Sequence, residues 1–331
     1  MTESSPIMRA ALFEGANLPL RVTEIPRPVP GAGQVLVKVA ASGVNPLDTK
    51  IHKGEAAHAR QPAPAVLGLD MAGTVAAVGD GVTWFRPGDA VYGMTGGVGG
   101  VQGSLAEFVA VDARLLAHKP TSLGMREAAA LPLVFITAWE GLVDRAAVKA
   151  GQRVLVQGAG GVGHIVVQLA RAFGAEVFAV DSAAKRDFLV GLGATPIDRA
   201  MTAEQYVARC SDGRGFDIIY DTVGGAALDA SFTAVRRFGH VVSALGWGTH
   251  ALAPLSFRAA TYSGVFTLLP LLTGEGREHH GEILAHAAEL VDTGKIATRI
   301  DPRRFTLETV GEAYQAIEAG SSNGKVVVEI D

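Results

Sequence analysis

The sequence predicts an α/β chain in which a mostly β portion is followed by a doubly wound parallel sheet, and three observations carry that prediction. Short β-branched runs broken by Pro, Gly and Asp fill the stretch from Ile7 to about Arg114. Strand and helix patterns alternate strictly from Arg153 onward. The first of those alternations turns on a glycine-rich stretch, QGAGGVG, at 157–163.

With 331 residues, 48% of them hydrophobic, and a mean hydropathy of +0.26, the chain is long enough for two domains, each with its own core. Its 41 glycines and 15 prolines follow no three-residue period, which fits strands joined by tight turns. A formal charge of −4 without a run of Lys or Arg offers no footprint for nucleic acid or an anionic membrane, so a small-molecule partner is expected. No apolar run reaches the roughly 18 residues of a membrane span. The first residues, MTESSPIMRAALFEG, lack the basic flank and apolar core of a signal peptide. Cys210 is the only cysteine, which excludes an intramolecular disulfide and any multi-cysteine zinc site. A cytoplasmic location is the expectation.

In the β portion, VLVKVAASGV (35–44) and MAGTVAAVGDGV (71–82) read as strands. From Arg126, REAAALPLVFITAWEGLV is spaced like a buried helix interrupted by Pro132. Strand RVLVQ then opens the alternating series: helix GVGHIVVQLARAF, strand AEVFAV, helix AAKRDFLVGL, a short strand near Pro196 to Asp198, and helix TAEQYVARC. Strand FDIIYD, a helix from Ala226 to Val235 and strand HVVSAL complete it. Strands alternating with helices imply right-handed crossovers and a parallel sheet covered on both faces. Helices around Glu282 to Asp292 and Leu307 to Ala319 and a last strand, KVVVEI, follow. Periodicity leaves open whether this tail closes a separate domain or returns to the first.

The glycine stretch has a mechanism. Gly158, Gly160 and Gly163 satisfy G-x-G-x-x-G between a strand and an apolar helix. Gly158 makes the tight turn, Gly160 leaves room for a pyrophosphate, and Gly163 lets the helix pack closely on the strand. Gly161 and Val162 complete the loop, whose backbone N–H groups and helix dipole favour phosphate. Asp181, 23 positions after Gly158 and at the end of the next strand, can accept hydrogen bonds from an adenosine ribose. Ser182 and Lys185 follow it and are expected to line the same site.

Several ordered motifs together resemble the medium-chain dehydrogenase/reductase superfamily, most closely its zinc-free quinone oxidoreductase (zeta-crystallin-like) branch. They are ASGVNPLDTK (41–50), LGLDMAGTVAAVG (67–79), FRPGDAVYG (85–93), GSLAEFVAV (103–111), TAWEGL (137–142), the glycine stretch, FDIIYDTVGG (216–225) and GKVVVEI (324–330). The likeness covers nearly everything from Ile7 to Ile330. It implies a GroES-like catalytic domain from both chain ends, residues 1–127 and 267–331, with a Rossmann domain, 128–266, between them and the active site in the cleft. It also implies a nicotinamide cofactor, NAD(P)H, and a homodimer or higher homo-oligomer.

The catalytic zinc ligands of metal-bearing relatives fall, by this resemblance, at Asn45, Leu69 and Leu133, so no zinc is expected. Asn45 is the candidate donor to a substrate oxygen, or else shapes a turn with Pro46. The branch often carries a tyrosine where this chain has Lys50, which is either an electrostatic stabiliser or a solvated surface residue. Asp48 reads as a structural hydrogen-bonding partner. Thr137 matches a position close to the nicotinamide, unless its hydroxyl only bonds its own helix. Ala244 to Gly246 are expected under the nicotinamide at the sheet edge, with Gly246 permitting close approach. Phe266 is expected to wall the cofactor site or to pack in a core or subunit interface.

These features predict a zinc-independent reductase of quinones or α,β-unsaturated carbonyl compounds. The alternatives are an enoyl-thioester reductase and a catalytically idle NAD(P)H-binding scaffold. The resembled branch mostly uses NADPH, whereas Asp181 suits the free 2′-hydroxyl of NADH, which is favoured on that ground.

Overall fold

In the computed structural model, which describes residues 6–330, the chain forms two compact units, Met1–Leu133 with Leu268–Asp331 and Val134–Thr267. Residues 1–5, on which the reading of the N-terminus partly rests, lie outside the described residues.

The first unit is a GroES-like β structure built around strand Gln34–Gly43. That strand is apolar almost throughout because it pairs on one side with Asp70–Val78 and on the other with Phe108–Asp112 and Val327–Glu329. Its register sets up the chemistry described below. Gly43 lies between Asp70 on one neighbour and Val327 on the other. One end of the sheet therefore gathers Asp70, Asn45 two residues beyond Gly43, and Lys325 two residues before Val327. A side chain at Gly43 has no room, since a Cβ there would stand 2.1 Å from the Ala129 carbonyl oxygen of helix Met125–Ala129.

The second unit is a Rossmann-like sheet of six parallel strands among the described residues. Their order is Thr195–Asp198, Glu176–Asp181, Arg153–Gln157, Phe216–Asp221, Val235–Ser243 and Thr261–Gly264. Helices Gly163–Ala172, Arg186–Gly191, Ala203–Cys210 and Ala226–Ala234 provide the crossovers. Leu155, Phe178, Phe216, Ile219, Phe232 and Val241 are fully or nearly buried in one core, each contributing roughly 1.5–3 kcal/mol by leaving water.

Two features depart from the sequence reading. Pro132 does not interrupt one helix: Met125–Ala129 ends before it, and Pro132 opens the next helix, Pro132–Trp139, whose first turn has no use for its missing N–H. That helix runs on into a π-helical turn, Glu140–Arg145. The edge strand Thr261–Gly264 has no signature in the sequence, because TYSG is short, polar and without alternation. Among the described residues no helix is long and apolar enough to cross a membrane.

Candidate active site

The glycine loop of the second unit shows three glycines in three roles. Gly158 has φ +80°, and a Cβ there would lie 2.7 Å from Val223. A Cβ at Gly163 would stand 1.8 Å from the Gly158 carbonyl oxygen, so the helix start packs directly on the turn. At Gly160 a Cβ would meet nothing within 4 Å. That open space over a loop of backbone N–H groups fits a pyrophosphate, and a side chain would fill it. Gly161 is also unhindered, its nearest neighbour being Val134 at 3.5 Å, and Val162 precedes helix Gly163–Ala172 as its N-cap.

Asp181 closes the loop from the next strand. Its Oδ2 accepts from the Ala159 N–H at 2.8 Å and from Lys185 Nζ at 3.0 Å, and its Oδ1 from the Ser182 N–H at 2.7 Å. Burial pushes its pKa up, but those donors together outweigh burial and hold the carboxyl below its usual range. The group is ionised, oriented and set against the glycine loop.

At the carboxyl ends of the central strands, Asp221 is fully buried and organises the DTVGG turn. It accepts from the Val223 and Gly224 N–H groups at 3.1 and 3.0 Å and from the Ser243 hydroxyl at 2.7 Å. Ala244 donates its N–H to the Asp221 carbonyl at 3.1 Å, and a Cβ at Gly246 would meet the Tyr262 hydroxyl at 2.1 Å. Phe266 and Trp247 stack edge to face, ring centres 6.3 Å apart, and both are partly exposed. The Thr137 carbonyl accepts from the Tyr220 hydroxyl at 2.5 Å, and its own hydroxyl lies 3.1 Å from that of Thr267.

In the first unit, Asn45 stands at the head of helix Pro46–His52 and is 1% exposed. Its Nδ2 donates to Asp70 Oδ2 at 3.0 Å, and its Oδ1 accepts from Lys325 Nζ. The opposite demands of a carboxylate and an ammonium fix which way the amide points. One Nδ2 hydrogen remains for another acceptor. Asp70 is fully buried and also takes the Leu133 N–H at 2.9 Å, near the start of a helix. Burial pushes Asp70 up and Lys325 down, each partly offset by the other's charge. Asp48 accepts the Asn45 N–H at 2.7 Å, a structural partnership, and its second oxygen is buried without a hydrogen bond. Burial and the Asp70 charge push its pKa up to about 7 against the Asn45 N–H and Lys325.

The structure therefore gathers Asn45, Asp70 and the Leu133 backbone. Lys50 stands exposed in the last turn of its helix, and the ammonium that reaches Asn45 is Lys325. Lys325 lies in GKVVVEI, a stretch noted for its resemblance but given no chemical role from sequence. The side chains of Leu69 and Leu133 carry no donor atom for a metal, and the Asn45 amide is held by Asp70 and Lys325.

The family described as alcohol dehydrogenase GroES-like domain matches residues 31–121, and that described as zinc-binding dehydrogenase matches residues 192–328. The chain is 37% identical over 305 residues to 2-methylene-furan-3-one reductase of Solanum lycopersicum, with 89% of this chain and 71% of that protein covered. It is 34% identical over 304 residues to the chloroplastic NADPH-dependent alkenal/one oxidoreductase of Arabidopsis thaliana, covering 89% and 72%. The crystal structure of an alcohol dehydrogenase superfamily protein from Novosphingobium aromaticivorans superposes with a TM-score of 0.96 at 58% identity, over 98% of this chain and 100% of that one.

Proposed function

The chain belongs to the medium-chain dehydrogenase/reductase superfamily, in its quinone oxidoreductase branch, and from that premise we propose that it reduces activated double bonds of enones or quinones with a nicotinamide cofactor and without zinc. The observation that carries this reading is the pairing of a glycine cradle open at Gly160 with a site whose leucines cannot hold a metal. The cradle holds the pyrophosphate on the 158–163 loop and the adenosine ribose at Asp181, with Ser182 and Lys185 beside it. Thr137, Ala244, Gly246 and Phe266 serve the nicotinamide end.

Bound there, the cofactor supplies a hydride. An enone that has gained a hydride at its β-carbon carries its negative charge over oxygen and the α-carbon, so it needs less help than an alkoxide. The remaining Nδ2 hydrogen of Asn45 holds that oxygen, and water or Lys50 supplies the proton that completes the product. Lys325 and Asp70 keep the Asn45 amide in one orientation, and Lys50, exposed in the last turn of the helix that Asn45 heads, reinforces the charge stabilisation.

We read NADH as the preferred cofactor, because the ionised Asp181 repels a 2′-phosphate, although Lys185 beside it offsets part of that repulsion. The unpaired edge Thr261–Gly264, with exposed Phe238 and Phe257 nearby, supports a homodimer. Oxidation of either reduced nicotinamide followed against a panel of quinones, enones and enoyl thioesters tests the assignment. Turnover confined to thioesters would make the protein an enoyl-thioester reductase, and cofactor binding without any turnover would make it an idle scaffold.

A further inference from the structure

His250 ties down an exposed loop at the carboxyl edge of the parallel sheet. The loop runs from Ala244, after strand Val235–Ser243, to Leu252, before the short helix Ala253–Ser256. Its first residues are fixed from below, the Ala244 N–H by the Asp221 carbonyl and the Leu245 N–H by the Ser243 hydroxyl oxygen at 3.0 Å. Beyond them, Gly246, Gly248, Thr249 and Ala251 make no backbone hydrogen bond to another element among the described residues, and Gly246 to Thr249 are exposed. His250 turns back inward. Its side chain is 12% exposed and meets the Phe232 ring of helix Ala226–Ala234 edge to face, with ring centres 6.1 Å apart.

Both ring nitrogens of His250 face acceptors. Nδ1 lies 2.8 Å from Asp229 Oδ1, on that same helix, and Nε2 lies 3.3 Å from the Trp247 carbonyl oxygen. A neutral imidazole has one N–H, so it serves one acceptor and turns a lone pair on the other; only the imidazolium donates to both. The bond to Asp229 raises the His250 pKa above the ordinary 6.5, burial opposes it, and the Trp247 carbonyl and the charges of Asp229 and Asp221 add to the rise. The charged groups facing the ring are thus Asp229 from the helix and Asp221 from the end of strand Phe216–Asp221. Phe232 and, beyond it, Tyr262 of the edge strand are uncharged, the Tyr262 phenol being pushed up by burial. A raised pKa fixes the sign: the tie is complete below 6.5 and is lost as pH rises through the folded value.

We propose that His250 is a proton-operated clasp on the loop of residues 244–252. Protonated, it bridges the Trp247 carbonyl to Asp229 and holds the loop in the form that meets the nicotinamide end of the cofactor. Deprotonated, it releases one of the two. The inference rests on the dinucleotide reading above, in which Ala244 and Gly246 serve that end. A loop already held loses less freedom on binding, so the reduced cofactor binds the clasped form more tightly. Linkage makes the effect reciprocal: the bound cofactor tightens the proton on His250 by the same factor.

The test is NMR titration of the histidine rings from about pH 6 to 9 in the purified protein, alone, with the reduced cofactor and with ADP-ribose, which lacks the nicotinamide. Cofactor affinity is measured over the same range. His250→Gln identifies the signal and keeps one N–H donor that does not titrate. His250 is expected to titrate above 6.5, and Asp229→Asn to lower its midpoint. Cofactor affinity is expected to fall by ~3–10-fold as pH rises through that midpoint, matched by a rise of about 0.5–1 unit in the midpoint when cofactor is bound. ADP-ribose affinity should stay within about twofold, and His250→Gln should bind the cofactor without that step. A midpoint at or below 6.5 or unmoved by cofactor, an equal fall for cofactor and ADP-ribose, or the same fall in His250→Gln overturns the proposal. Failure of the unaltered protein to bind either nucleotide overturns the dinucleotide reading and this proposal with it.

Discussion

Lys325 and Asp70, 255 positions apart in the chain, face each other at 3.5 Å inside the first unit, with the Asn45 amide bridging them. A buried pair of this kind offsets its own desolvation only while both charges and their hydrogen bonds are present. Lys325→Met is therefore expected to lower the unfolding free energy by about 3–5 kcal/mol, because it leaves Asp70 buried beside an undirected amide. Urea denaturation measures this. A loss below about 1 kcal/mol would show the pair to be no more than a surface-type ion pair.

Asp48 makes a pH prediction. Its folded pKa, about 7, lies above the ordinary 3.8, so the folded state binds this proton more tightly than the unfolded chain. The stability it contributes is complete below the ordinary value and is lost as pH rises through 7. Asp48→Asn removes the titration while conserving the acceptor for the Asn45 N–H. Relative to the unaltered protein, the variant is expected to gain about 1.4 kcal/mol for each pH unit between 5 and 7, then to level off. The groups facing Asp48, namely Asp70, Lys325 and Tyr314, are common to both proteins. Parallel stability profiles from pH 5 to 8 would contradict the assignment.

Two glycines of one loop are expected to fail differently. Gly163→Ala puts a Cβ against the Gly158 carbonyl, which backbone cannot easily vacate, so the melting temperature should fall. Gly160→Val meets open space in the protein, so stability should hold while cofactor affinity drops by about tenfold or more. Calorimetry and cofactor titration on both variants separate the effects, and a reversed pattern would remove the pyrophosphate from this loop.

Cofactor choice turns on Asp181. Its charge opposes a 2′-phosphate by up to ~4 kcal/mol at ~4 Å and an effective dielectric of ~20. Lys185, 3.0 Å from the carboxylate, reduces that figure. Asp181→Asn is expected to shift the ratio of NADH to NADPH dissociation constants toward NADPH by roughly tenfold, equivalent to about 1.4 kcal/mol. An unaltered protein that binds NADPH tenfold more tightly than NADH would overturn the preference.

The parts of this account legible in the sequence are those whose logic is local. The roles of Gly158, Gly160 and Gly163 lie within six residues, and the strand before them and the helix after them announce themselves by period. Asp181 could be found by its distance from that loop, although its bond to the Ala159 N–H could not. Lys325, Asp70 and Asn45 meet only because Gly43 sits in register with Asp70 and Val327, and no spacing in one chain reveals register across strands. Thr267 was illegible for a related reason: it follows the edge strand TYSG, too short and polar to read, and a lone threonine carries no motif.

The proposed reaction passes a hydride to an activated double bond without a metal. Initial rates in protein stripped of metal by chelation test it most directly, comparing an enone or quinone with reduced cofactor against ethanol or benzyl alcohol with oxidised cofactor. Alcohol oxidation requires loss of the hydroxyl proton, which the metal-bearing relatives assist with zinc and which Asn45, Leu69 and Leu133 cannot. Enone or quinone reduction is expected to run at least ~100-fold faster than alcohol oxidation, on the scale of losing one strong stabiliser of oxygen charge. Efficient alcohol oxidation by the metal-free protein, with no activity on enones or quinones, would contradict it.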